Sequence, residues 1–347
     1  LIDGIQKGLL QWYDFKEGSS ALFTGDEDAP LAQMLLGKKL NVVCVQPKEL
    51  SDEGWRQKHD KCFDYIICIQ VLEMQKIPEQ FLEIFRRLLK IDGIMLLGMN
   101  NRMGVRYFCG DRDIYTNRCF DSIEGYRRAY VKKEDVFKGR SYHRAELKRM
   151  LHISGWEQCC FYSVFSDLRN PTQIYSENYL PNEDLANRLL PFYNYPHSVF
   201  MDEKILYEDL VDNDMFHQMA NAYLIECTGN GKLSDIDHVT CSMDRGKERA
   251  LFTIIHDSGI VEKRVAYPEG RERLACFIEH ARDLKNHGIA VIDARIKNDT
   301  YVMPYVKGEV AQLYLKRLIK TDTRRFLQEM DRFRDLILQS SDIVKSS

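Results

Sequence analysis

Short uninterrupted apolar runs alternate with amphipathic stretches through the first half of the chain. Ala21-Leu22-Phe23-Thr24, Val42-Val43-Cys44-Val45 and Phe63-Asp64-Tyr65-Ile66-Ile67-Cys68-Ile69 read as strands. They are continuous apolar runs rather than polar–apolar alternations, as strands covered on both faces should be. The first strand leads through a tight turn into a helix over Leu31 to Gly37. After Pro78, residues Phe81, Ile84, Phe85, Leu88 and Leu89 recur on one helical face. Pro78 sits near the start of that helix, where its missing N–H costs nothing. Asp92-Gly93 predicts a turn into a further buried strand, Ile94-Met95-Leu96-Leu97. A helix from about His143 to Ile153 stops at Gly155, and Trp156 to Phe165 reads as strand again. Such alternation predicts an α/β fold, a doubly wound and mostly parallel sheet, over residues 1–165.

The pattern then weakens. Residues 166–231 are rich in Tyr, Asn and Pro, with short helices expected near 178–190 and 202–210. They read as an insert or linker that covers the open end of the sheet, where α/β folds bind ligands. Gly229-Asn230-Gly231 marks a boundary. Residues 232–347 follow a different plan, an α+β domain. His238–Met243, Arg249–His256 and Gly259–Ala266 read as successive antiparallel strands with a turn at Asp257-Ser258-Gly259. A helix over Glu269–Asn286, two strands at Ala290–Ile296 and Tyr301–Tyr305, and a helical stretch over Val310–Val344 complete it. In the last stretch Leu313, Leu315, Leu318, Ile319, Phe326, Met330, Phe333 and Leu336 recur at helical spacing, which suits packing against a core or a dimerising helix.

The first turn carries candidate chemistry. It reads Gly25-Asp26-Glu27-Asp28-Ala29 and is preceded by Trp12-Tyr13 and Phe15. Phe63-Asp64-Tyr65 enters a strand that ends in Val71-Leu72-Glu73, and Leu88-Leu89-Lys90-Ile91-Asp92-Gly93 follows. Further on stand Asn100-Asn101-Arg102-Met103-Gly104, Phe120 to Tyr126, Pro171 to Ser176 and Asn221 to Glu226. Together these segments resemble the class I S-adenosylmethionine (SAM) methyltransferases, in a bacterial subgroup found with surface-glycan biosynthesis enzymes. The resemblance spans most of residues 8–228. It implies a methyltransferase Rossmann-like domain with SAM as cofactor, Gly25, Asp26, Gln46, Asp64 and Glu73 as cofactor-binding positions, and Asn100 beside the acceptor.

Three departures meet at that site. The family's glycine-rich loop keeps only Gly25, and three carboxylates follow it. Gln46 stands where a carboxylate would accept both ribose hydroxyls, and Gln offers a single acceptor. About 17 residues separate Val45 from Phe63, too few for the usual helix, strand and loop. The expected function is therefore a pseudoenzyme: a methyltransferase-like scaffolding or regulatory protein of bacterial polysaccharide biosynthesis. An active O-methyltransferase acting on a glycan or sugar phosphate is the alternative, as is an interaction module for a glycosyltransferase. The acceptor implied is a glycan or a lipid-linked sugar.

The three strands, helix and two strands of the C-terminal part resemble a kinase small lobe. Lys263 would be its phosphate-contacting lysine and Glu279 the helix partner. No glycine-rich loop precedes Lys263, and no H-R-D or D-F-G segment follows.

Composition narrows the partners. A net charge of −3 gives no general drive toward nucleic acid. Arg127, Arg128, Lys132, Lys133, Lys138 and Arg140 make one locally basic loop, interrupted by Glu134 and Asp135, which reads as a solvated loop or, more sharply, as a contact for a phosphorylated or lipid-linked sugar. Ten cysteines without a C-x-x-C pair argue against zinc and a disulfide framework, so no metal is expected and the thiols suit a reducing cytosol. No run approaches the roughly 20 apolar residues of a membrane span and no signal peptide is evident. The expected location is cytoplasmic, with peripheral contact to the inner face of the membrane as an option. The chain reads as a fragment of a longer polypeptide.

Overall fold

The computed structural model describes residues 2–132 and 134–340. In chain order the elements are α1 (Ile2–Lys7), β1 (Ser20–Thr24), α2 (Pro30–Gly37), β2 (Asn41–Val45), α3 (Glu53–Lys58), β3 (Phe63–Ile69), α4 (Pro78–Leu88), β4 (Leu89–Asn100), α5 (Val105–Phe108) and α6 (Arg144–Ile153). Then come β5 (Gln158–Ser166), β6 (Pro171–Ser176), α7 (Leu185–Arg188), α8 (Tyr207–Asp212), β7 (Ala222–Thr228), β8 (Ile236–Ser242), β9 (Leu251–His256) and β10 (Ile260–Val265). The chain continues with α9 (Arg271–Asn286), β11 (Arg295–Lys297), β12 (Thr300–Pro304), α10 (Ala311–Thr321) and α11 (Thr323–Gln339). The expected helix over Val310–Val344 is two helices, broken at Asp322, whose side chain caps α11; residues 341–344 and Lys133 lie outside the described residues.

All twelve strands join in one mixed sheet, in the order β11-β12-β10-β9-β8-β6-β5-β7-β4-β3-β1-β2. The strands β2, β1, β3 and β4 are parallel, and every pairing from β4–β7 onward is antiparallel. Period-two alternation sends β1 and β3 side chains to opposite faces. Leu22, Ile66 and Cys68 pack with Leu82, Phe85 and Leu88 of α4 on one face. Ala21, Phe23 and Ile67 pack with Leu31, Ala32 and Leu35 of α2 on the other. Helices on both faces make the parallel part doubly wound.

Three details depart from the sequence pattern. Asp92-Gly93 is not a free turn but lies inside β4, where Phe63 pairs with Leu89 and Tyr65 with Ile94. Two steps along β3 thus match five along β4, and the surplus forms a bulge. Residues 166–231 contribute β6 and β7, two strands in the middle of the sheet. Their polar residues, among them Gln173, Glu226 and Thr228, hide the strand periodicity although all three are buried. Between β2 and β3 the chain forms only a 3-10 turn, Glu49–Ser51, and the six-residue α3. Among the described residues no strand lies outside β2.

Segment 166–231 is fixed to the parallel part by buried charge. Arg106 of α5, which follows β4, is 1% exposed. Its two terminal nitrogens each lie 3.4 Å from Asp167 Oδ2, its Nε lies 3.8 Å from Asp111 Oδ2, and it donates to the Phe192 carbonyl. Asp111 also accepts the N–H groups of Asn194 and Tyr195, at 2.9 and 2.8 Å. Asn221 accepts from the Arg106 N–H at 3.1 Å and donates to Glu203. Burial alone would raise the Asp167 carboxyl, yet the Arg106 and Arg169 guanidiniums hold it below its ordinary value. Glu226 of β7 is a second buried node, accepting from Tyr13 and Tyr162 hydroxyls and from Ser234.

Removing one partner from such a cluster strands the others in a dry interior. Arg106→Met is therefore expected to lower stability by about 3–5 kcal/mol, read as a lower urea midpoint. An unchanged midpoint would show that the cluster does not hold the two segments together.

Candidate functional site

In the parallel part the strand order reverses at β1: the chain steps outward to β2 and then returns to lay β3 on the other side. Open α/β sheets take ligands in the crevice at the C-terminal ends of the strands at such a reversal. Gly25 follows β1 there, donating its N–H to the Val45 carbonyl at 3.0 Å. Its φ is +149°, and a Cβ would lie 2.9 Å from the Phe23 ring, so only glycine fits without displacement. The Ala29 N–H donates to the Asp26 carbonyl at 3.1 Å, which tightens the turn, and Pro30 opens α2. Asp26, Glu27 and Asp28 are all exposed. Gln46, just past β2, donates from Nε2 to Asp26 Oδ1 at 2.7 Å, and its N–H donates to Glu49 Oε2 at 2.7 Å. Gly25, Asp26 and Gln46 therefore come together at one mouth.

Glu73 and Asn100 meet further along. A 3-10 turn over Leu72–Met74 carries Glu73 beneath the end of β4, where its Oε1 accepts from the Asn100 N–H at 2.8 Å and from Nδ2 at 3.2 Å. Oε2 is buried and has no hydrogen-bond partner. Burial pushes the carboxyl up to about 7, against the pull of the Asn100 and Glu73 N–H groups. Asp64 is elsewhere. It sits at the start of β3, about 20 Å of strand from the crevice, where it accepts from the Ser20 N–H and hydroxyl and pairs with Lys90 at 2.8 Å.

Asp113 and Ser141 escape sequence reasoning, while Tyr126 and Arg140 enter it only as members of a resembling segment and of the basic loop. Asp113 accepts the Tyr126 hydroxyl at 2.6 Å and the N–H groups of Tyr115 and Thr116. The Tyr126 oxygen accepts from the Ser141 N–H at 2.8 Å. The Arg140 guanidinium lies over the Tyr126 and Tyr142 rings, at 5.6 and 4.7 Å, while the Arg140 backbone N–H donates to the Glu73 carbonyl. The usable signal was Asp113 placed two and three residues before the amides that it caps. In the C-terminal part, Lys263 of β10 rests over the Phe277 ring of α9 at 5.3 Å, and among the described residues it makes no ion pair with Glu279. Among the described residues no group of three or more His, Cys, Asp and Glu is arranged to hold a metal ion, and no helix among them is long and apolar enough to cross a membrane.

No protein-family model matches the sequence, and no curated protein matches it. Solved structures that resemble the backbone include a SAM-dependent methyltransferase from Archaeoglobus fulgidus, 13% identical with a TM-score of 0.38, covering 65% of this chain and 94% of that one. Another, from Thermotoga maritima, is 12% identical with a TM-score of 0.35 and covers 66% and 92%. The Haemonchus contortus phosphoethanolamine N-methyltransferase 2, solved with S-adenosylhomocysteine, is 13% identical with a TM-score of 0.33 and covers 65% and 51%.

The raised Glu73 carboxyl has a pH signature. Its folded value of about 7 exceeds the ordinary 4.5, so the folded state favours the protonated form. That contribution is whole below pH 4.5 and is lost as pH rises through about 7. Glu73→Gln, which cannot ionise, is expected to match the parent at pH 4.5 and to exceed it by about 3 kcal/mol above pH 7. Melting temperatures across that range check this, and a difference that does not vary with pH would refute it.

Proposed function

We propose that the chain is a methyltransferase-fold protein whose crevice does not hold SAM, and that it serves bacterial surface-polysaccharide biosynthesis as a scaffolding or regulatory part. The observation that carries this reading is the 2.7 Å hydrogen bond from Gln46 Nε2 to Asp26 Oδ1. The side chain that would receive the ribose hydroxyls spends its amide on the turn that would cradle the amino-acid end of the cofactor. That turn presents the exposed carboxylates of Asp26, Glu27 and Asp28 toward the cofactor's own carboxylate, a like-charge encounter. The short connection between β2 and β3 leaves less wall around the ribose position than the family's usual strand–helix unit supplies. These residues do not fit SAM.

The pathway assignment rests on the segmental resemblance from Trp12 to Glu226 and on the strand–helix–strand order behind it, which resembles a kinase small lobe. The partners this reading implies are a glycosyltransferase or a related biosynthetic protein, and the basic loop around Arg127 and Lys138 suits a phosphorylated or lipid-linked sugar.

One observation favours a second reading, an active O-methyltransferase. Glu73, with its carboxyl at about 7 and Oε2 unpaired, has the proton affinity of a general base that would deprotonate an acceptor hydroxyl.

Calorimetric titration with SAM and with S-adenosylhomocysteine separates the two. No heat of binding is expected at ligand concentrations on the order of 1 mM. Micromolar affinity for either ligand would sink the scaffold reading and move attention to Glu73.

A further inference from the structure

We propose that the free edge of β2 is the two-fold interface of a homodimer. The sheet has two ends, and they are built differently. At one end β11 is three residues long, exposed at each of them, and carries Arg295 and Lys297, the short cationic form by which edge strands resist pairing. At the other end β2 has five residues, Asn41-Val42-Val43-Cys44-Val45, and none is charged.

The backbone of β2 is ready on its outer side. The Asn41 N–H donates to the Ser19 carbonyl at 2.9 Å, and the Val45 carbonyl accepts from the Gly25 N–H at 3.0 Å. Residues 41, 43 and 45 thus address β1, so the N–H and C=O groups of Val42 and Cys44 point away from the sheet. Among the described residues no strand, turn or loop pairs with that edge. Val43 is 38% exposed, and Leu36, on the last turn of the helix leading into β2, is 46% exposed.

A second copy fits this edge by symmetry. With a two-fold axis through Val43, Val42 of one copy lies opposite Cys44 of the other, and each such pair exchanges two backbone hydrogen bonds. Val43 then meets Val43 across the axis, where opposed side chains approach most closely. The same operation on β11 would set Arg295 against Lys297, a repulsive pair. Self-pairing is therefore open at β2 and blocked at β11. A five-residue strand buries less than the ~1,600 Å² of a standard interface, so association is expected at concentrations on the order of 100 μM. Nothing in this proposal depends on how the crevice is read.

Sedimentation velocity on the full chain, from about 1 to about 200 μM, tests it. The parent is expected to shift from monomer to dimer as concentration rises. Val43→Lys places two ammonium groups across the axis, and Val42→Pro removes only an outward N–H, which an edge strand tolerates. Both variants are expected to weaken dimerisation at least tenfold, with far-UV circular dichroism and melting temperature retained. A parent that stays monomeric throughout overturns the proposal, as does a dimer that both variants leave intact.

Discussion

A guanidinium with 1% of its surface exposed has to be answered by charge and by hydrogen-bond acceptors, because burying it alone would cost several kcal/mol. Arg106 is answered by Asp167, Asp111 and the Phe192 carbonyl, which come from three separate stretches of chain. Each stretch is otherwise irregular. The residues after β5, the loop around Phe192 and the turn after α5 have little regular pairing of their own, so the cation helps to set where they lie. Through Asn221 and Glu203 the same cluster reaches the entry of β7. The start of β7, whose ladders run to β4 and β5, is thus tied to this buried charge, whose Nε has an ion-pair partner at 3.8 Å but no hydrogen bond.

The parts of the fold legible in the sequence are those that depend on apolar runs. Leu22, Phe23, Ile66, Ile67, Leu96 and Leu97 lie in strands covered on both faces, and an uninterrupted run is the direct mark of such burial. Illegible were β6 and β7. Gln173 is buried because Thr240 donates to it and His238 pairs with it, and Glu226 because two tyrosines and a serine surround it. Those partners are distant in sequence, so no local pattern announces that a polar residue will be covered. The Asp92-Gly93 turn was misread for a related reason: a bulge and a turn share local chemistry, and only the register against β3 tells them apart.

The site was legible in position more than in content. Gly25, Asp26 and Gln46 converge because strand–turn–helix order alone brings the end of β1 beside the end of β2. Asp64 does not join them, since it stands at the start of β3 and the crevice lies at the C-terminal ends of the strands. Glu73 keeps its place through Asn100, a residue that the same segmental reading had already set apart. The tyrosines and Arg140 that surround it come from a stretch without periodicity, where Tyr126 is held by Asp113 and Ser141, thirteen and fifteen residues away.

The position of β7 between β4 and β5 also bears on how the chain is made. During synthesis β5 emerges more than fifty residues before β7, yet it has no direct partner in β4 and must await the strand that separates them. The first half cannot close as a finished unit while the rest is still being translated. β5 and β6 can pair as a hairpin once both have emerged, but their joining to β4 becomes possible only after Thr228 clears the ribosome. Long-range pairing of this kind makes folding slow and its waiting edges vulnerable to association, so a ribosome-bound chain of this protein has more need of a chaperone than its ordinary composition would indicate.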